Sequence, residues 1–124
     1  MTVKSKVLIV DDDLTILNLL KTLLEIEGFE VLRLDNVNIA SFTGLLQNNR
    51  PDVILLDVNL RQINGFNLLR VLRQSEELKA IRVIMTSGMD LTSRCKLEGA
   101  DAFLLKPYMP NELVRLLKSL VAQS

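Results

Sequence analysis

Three consecutive aspartates, Asp11, Asp12 and Asp13, follow directly on the apolar run Val7–Val10, and Asp57 sits near the end of a second apolar run, "DVILLDV" at residues 52–58. Two like charges about 4 Å apart repel by roughly 4 kcal/mol at an effective dielectric near 20, so a fold that gathers such carboxylates needs a cation or a proton among them. A third run, "IRVIMTS" at 81–87, ends on the hydroxyls of Thr86 and Ser87, and a fourth, "AFLLK" at 102–106, ends on the ammonium of Lys106. Hard oxygen ligands without His or Cys suit Mg²⁺, which is commonly held by one or two carboxylates plus a phosphate. A cation there offsets the repulsion and orients an incoming phosphoryl group.

Taken singly, each of these residues has an ordinary reading. Asp13 directly precedes a helical pattern and suits an N-cap; Asp57 alone suits a loop, Ser87 a capping hydroxyl and Lys106 a surface charge. The chemistry becomes the stronger reading only if one fold edge collects them all, which depends on the elements between them.

Those elements alternate. Leu14, Leu17, Leu20 and Leu24 repeat at helical spacing up to a Gly28 stop. "FEVLRL" at 29–34 alternates as a half-covered or edge strand, and a weaker helix carries Ile39, Phe42, Leu45 and Leu46 as far as Arg50–Pro51. Asn64–Gly65 has the composition of a hairpin turn, but Phe66, Leu68, Leu69 and Leu72 continue at helical spacing, so Asn64 reads as an N-cap. A short helix near Leu91–Glu98 stops at Gly99, and Leu113, Leu116, Leu117 and Leu120 mark a last one. Five strands alternating with five helices predict a doubly wound α/β domain: a parallel sheet of order 2-1-3-4-5, flavodoxin-like, covered on both faces. Ligands of such folds sit outside the carboxyl ends of the strands, so Asp11, Asp12, Asp57, Ser87 and Lys106 should share one crevice.

The bulk composition narrows the function. A chain of 124 residues, 48% hydrophobic, is the size of one domain with one sizeable core, and residues 1–124 read as a single unit. Fifteen charges of each sign give no sign of a basic surface for nucleic acid or a polybasic patch for a membrane, and disfavour both partners. No run approaches a membrane span or a signal-peptide core, so the expected location is cytoplasmic. With no His, the chain cannot carry a Ser–His–Asp triad, a His-ligated zinc or a phosphohistidine of its own, so any phosphoryl donor is external. Cys95 is a lone thiol without a His to activate it, and no P-loop or dinucleotide glycine motif is present.

Four segments in register with this alternation, "VLIVDDD", "PDVILLDVNL", "IMTSG" and "GADAFLLKPY", make the chain resemble the response-regulator receiver family of two-component signalling along essentially its whole length. The resemblance implies a phosphorylation-controlled switch rather than an enzyme acting on an outside substrate. Asp57 would be the phosphoacceptor, a carboxylate nucleophile forming an acyl phosphate. Asp12 would ligate Mg²⁺ directly and Asp11 through a water, with Asp57 and the Asn59 carbonyl completing the protein ligands. Lys106 would pair with the phosphoryl oxygens, and Ser87 would hydrogen-bond the phosphoryl group and report it. Thr86 is a rival for the hydroxyl role; Ser87 is preferred because the small Gly88 follows it. Lys106–Pro107 resembles the family's cis peptide, and Phe103 its switch aromatic, though a core strand position explains Phe103 equally well. A histidine kinase or histidine phosphotransfer protein would supply the phosphoryl group, and a changed surface of helix four, strand five and helix five would reach a downstream protein or output domain.

Two positions depart from the family pattern. Arg61 stands where receivers commonly carry proline, which predicts a more mobile Asn59–Asn64 loop. Only nineteen positions separate Ser87 from Lys106, shorter than the usual interval by roughly one helical turn, so helix four must be stunted or partly unwound. Two competing functions remain open to test: a phosphate-independent interaction module on the same fold, and a Mg²⁺-dependent phosphohydrolase, for which the chain leaves little room for a substrate pocket.

Overall fold

The computed structural model describes residues 3–122. Its elements alternate as β1 (Lys6–Val10), α1 (Leu14–Ile26), β2 (Glu30–Leu34), α2 (Ile39–Asn48), β3 (Val53–Asp57), α3 (Gly65–Gln74), β4 (Arg82–Ser87), α4 (Thr92–Leu97), β5 (Ala102–Leu105) and α5 (Pro110–Ala122). All neighbouring strands pair in parallel, in the order β2-β1-β3-β4-β5, as the alternation predicts.

Burial follows from that order. β3 lies at the centre and is buried throughout, whereas β2, an edge strand, keeps Val31 inside and Glu30 outside. Along an interior strand, successive side chains point to opposite faces. Leu8, Ile54, Leu56, Val83 and Met85 therefore pack with Phe42 of α2, Phe66, Leu69 and Leu72 of α3, and Cys95 of α4. Val7, Ile9, Val53, Leu55 and Ile84 pack instead with Leu17, Leu20 and Leu24 of α1 and Leu113, Leu117 and Leu120 of α5.

Local chemistry fixes the helix starts. Asp13 Oδ1 accepts from the Thr15 and Ile16 N–H groups (2.9 and 3.3 Å), so the N-cap reading of Asp13 holds. Asn38 and Ser41 form a reciprocal capping box at α2, and Asn64 Oδ1 accepts from Phe66 N (2.8 Å) at α3. Gly28 and Gly99 adopt positive φ (95° and 99°) just beyond α1 and α4, the conformation a side chain resists. α4 spans six residues, and Leu91 at its N-cap supplies no side-chain cap, in line with the short interval between Ser87 and Lys106.

The expected strand limits contract slightly. Val58 and Lys106 lie just outside β3 and β5, yet their N–H groups still reach the neighbouring strand, at Thr86 O (2.9 Å) and Ser87 O (2.8 Å). The ladder thus ends where the functional side chains begin.

Candidate functional site

The carboxyl edge of the sheet brings Asp11, Asp57 and Lys106 into direct contact. Lys106 Nζ donates to Asp57 Oδ2 at 3.0 Å and to Asp11 Oδ2 at 3.3 Å. The ammonium is the cation that two adjacent carboxylates require. The second oxygen of each carboxylate is engaged as well: Asp11 Oδ1 accepts from Asp13 N (2.9 Å) and Asp57 Oδ1 from Asn59 N (3.0 Å). Both aspartates are nearly enclosed, at 8% and 9% exposure. The Lys106–Pro107 peptide is cis.

Charge is unevenly tolerated across this pair. Burial pushes the Asp57 carboxyl above its ordinary value, and the neighbouring Asp11 charge adds to that; the Asn59 N–H and Lys106 pull it down without cancelling the effect. Burial also acts against the Lys106 ammonium, but its bond to Asp57 and the two carboxylate charges prevail, holding it above the usual lysine value. The two groups differ because burial outweighs the single shared ammonium at Asp57, whereas two carboxylates outweigh burial at Lys106. The same two charges, after burial, raise the adjacent Tyr108 hydroxyl to about 12, so it stays protonated.

Asp12 is oriented differently. Its Oδ2 accepts from the backbone N–H of Arg61 at 2.5 Å, which ties the end of β1 to the loop after β3. Among the described residues, no three Asp, Glu, His or Cys side chains stand close enough together to hold one metal ion. Asp11 and Asp57 meet through Lys106, and Asp12 faces the loop. The donor set itself fits a hard divalent cation: carboxylate oxygens, two of them buried, beside the Asn59 backbone.

The two candidate hydroxyls point to opposite faces. Ser87 alternates with Val83 and Met85 on the α2–α3–α4 face, the face against which Phe103 also packs, whereas Thr86 alternates with Ile84 on the α1–α5 face. Ser87 Oγ donates to Asn59 Oδ1 at 3.0 Å and accepts from Met89 N at 3.1 Å, so it is buried but fully engaged. Thr86 lies beside Asp57 in the strand register. Phe103 is half-buried, between a core position and a free one.

Three contributors escape a reading of side-chain types. Arg61 acts through its main chain. Asn59 contributes an amide oxygen to Ser87 as well as its backbone. Gly65 opens α3 so close to β3 that a Cβ there would stand 2.4 Å from the Asp57 carbonyl oxygen and 2.9 Å from Val58 Cα. A glycine after an N-cap asparagine, immediately behind the key strand, is the one signal of that approach in the sequence. Cys95 is buried in the core, where burial raises its thiol against the pull of Arg94.

A family model for the response regulator receiver domain matches residues 7–118. The chain belongs to that family. Among similar proteins, the transcriptional regulatory protein CpxR of Escherichia coli K12 is 37% identical over 121 residues, covering 97% of this chain and 50% of CpxR. The chain thus spans about half the length of the curated relatives it matches. A putative response regulator from Chloroflexus aurantiacus superposes with a TM-score of 0.87 at 31% identity, covering 97% of this chain and 99% of that one. The chemotaxis response regulator CheY4 of Vibrio cholerae gives 0.83 at 28% identity, covering 95% and 99%. Receiver domains belong to two-component signalling and are not substrate-turning enzymes. The flavodoxin-like order and the family expected from the four sequence segments are both borne out. No helix among the described residues is long and apolar enough to cross a membrane.

Proposed function

We propose that this receiver is a phosphorylation-controlled switch in which Asp57 accepts a phosphoryl group from a phosphohistidine on a histidine kinase or histidine phosphotransfer protein. The observation that carries the proposal is the shared ammonium: Lys106 bridges Asp57 and Asp11 at the closed carboxyl edge of the sheet. An Asp57 oxygen forms a bond to phosphorus as the bond from phosphorus to the donor nitrogen breaks, and the electron pair leaves on that nitrogen. Transfer of this kind needs positioning and charge stabilisation more than covalent help. Lys106 is placed to follow the negative charge from carboxylate to phosphoryl oxygens, and the Asn59 N–H holds the carboxylate plane.

Asp11, Asp12, Asp57 and the Asn59 carbonyl would hold Mg²⁺, whose role is to neutralise phosphoryl charge and orient its oxygens. Ser87 reports the new group by exchanging its Asn59 partner for a phosphoryl oxygen. Because Ser87 and Phe103 share a sheet face, that inward pull opens space for the aromatic ring and alters the α4–β5–α5 surface read by a downstream protein or output domain. Thr86, on the other face beside Asp57, is the alternative hydroxyl.

Incubation with acetyl phosphate and Mg²⁺, followed by intact-mass measurement, tests the proposal. A gain of one phosphoryl group that disappears in Asp57→Asn supports the switch. An inert chain supports a phosphate-independent interaction module, and multiple-turnover phosphate release supports a hydrolase.

A further inference from the structure

The bond between Asp12 and the main chain of Arg61 remains without a role in the scheme above. The loop that makes it is anchored at both ends. Asn59 N is bound to Asp57 Oδ1, Asn59 and Asn64 form an antiparallel bridge, and Gly65 N donates to Val58 O at 2.8 Å. These ties present the Arg61 N–H to Asp12 Oδ2, which accepts from it at 2.5 Å. The Arg61 side chain is exposed.

Resting on the Mg²⁺ reading of this site, we infer that the Arg61 backbone N–H is a positioning device that holds Asp12 away from Asp11 and Asp57 and competes with the cation for it. Three carboxylates at this edge have their own donors: Lys106 for Asp11 and Asp57, the loop amide for Asp12. Drawing Asp12 towards the other two around one ion pulls its Oδ2 from that amide, the step that makes the two compete. Cation binding is therefore coupled to movement of the Asn59–Asn64 loop, which borders Asp57 and carries the partner of Ser87. The donor is a backbone group, so most substitutions at 61 retain it. Proline alone removes it.

The test is a Mg²⁺ titration followed by two-dimensional NMR on the phosphate-free chain and on Arg61→Pro and Arg61→Ala. Arg61→Pro is expected to bind Mg²⁺ about tenfold more tightly, the scale of one charge-assisted hydrogen bond. Arg61→Ala retains the N–H and loses an exposed charge, so its affinity changes only about twofold. Weaker binding by Arg61→Pro would overturn the inference, making the amide a support for a metal-bound Asp12; so would equal changes in the two variants. A reading independent of the proline is the Arg61 amide itself, which should be shifted and protected without Mg²⁺ and lose both properties at saturation. An unchanged Arg61 amide alongside shifting Asp11 and Asp57 resonances overturns the competition and leaves the Mg²⁺ site standing. No Mg²⁺ response anywhere overturns both.

Discussion

At the β1–β3 end of the sheet edge, Asp11 and Asp57 are enclosed, each carboxylate oxygen has a partner, and Gly65 brings a helix backbone against the strand. At the β4–β5 end, α4 is six residues long, begins without a side-chain cap, and is clasped to α3 mainly at the surface. Arg70 reaches both oxygens of Glu98 (3.2 and 3.1 Å), and the Arg94 guanidinium lies 4.1 Å from the Phe66 ring centre; only Cys95 is buried. A two-turn helix has little stability of its own, so its order depends on these clasps. The comparison separates two requirements of a switch. In the proposed switch, Asp57 and Lys106 must be held in place before phosphorus arrives, whereas the surface that reports it must be inexpensive to move.

The largest expected effect strikes the fixed end. Gly65→Ala places a methyl group against the backbone of Asp57 and Val58, so α3 must move off the strand, at a cost of about 3 kcal/mol in urea unfolding. A loss below about 0.5 kcal/mol would show that this end is not tightly packed.

Arg73 tests what holds the reporting end to the core. Its guanidinium donates to the carbonyls of Gly99, Lys79 and Ile81 and to Asp101, whose carboxylate also accepts from Val83 N. Arg73→Ala strands several acceptors at once and should cost about 2 kcal/mol by the same measurement.

Asp57 itself should be a stability liability. Its pKa is raised on folding, so the native chain keeps that proton to higher pH than the unfolded chain, and stability falls as pH rises through the window above the ordinary value of 3.8. Asp57→Asn should therefore be more stable than the parent at pH 7, the gap closing as pH falls towards the ordinary carboxylate value. Mg²⁺ should stabilise the parent and have less effect on the variant. A variant less stable than the parent at pH 7 would mean that the Lys106 pairing outweighs the cost of burial.

The smallest effect falls on the movable end. Arg70→Ala removes a half-exposed ion pair and should leave global stability nearly unchanged. Amide hydrogen exchange over residues 92–98 should nevertheless accelerate, because the clasp is local. Unchanged protection there would erase the contrast between the two ends.

The fold was legible where the sequence repeats itself. Continuous apolar runs ending in Asp57 or Ser87, separated by leucines at helical spacing, require a covered parallel sheet, and the strand order then assembles Asp11, Asp57 and Lys106. Side-chain type also marked Asp13 and Asn64 as caps, since a short oxygen before a helical pattern has few other uses. Asp12 was only half legible. Its position at the edge follows from the strand, but its partner is a main-chain N–H forty-nine residues away in a loop, and backbone donors leave no mark on residue identity. Arg61, expected to loosen that loop, also contributes a donor that proline lacks. Gly65 was open to two readings because Asn–Gly serves both hairpins and helix starts; only the close approach to Asp57 shows why no larger residue fits.

The most direct measurement locates the phosphoryl group. After reaction with acetyl phosphate and Mg²⁺, borohydride trapping and peptide mass mapping should find the acyl phosphate on Asp57 alone, with Lys106→Ala sharply slower to form it. Modification at Asp11 or Asp12, or an equal rate without Lys106, would contradict the claim that the bridged Asp57 is the phosphoacceptor.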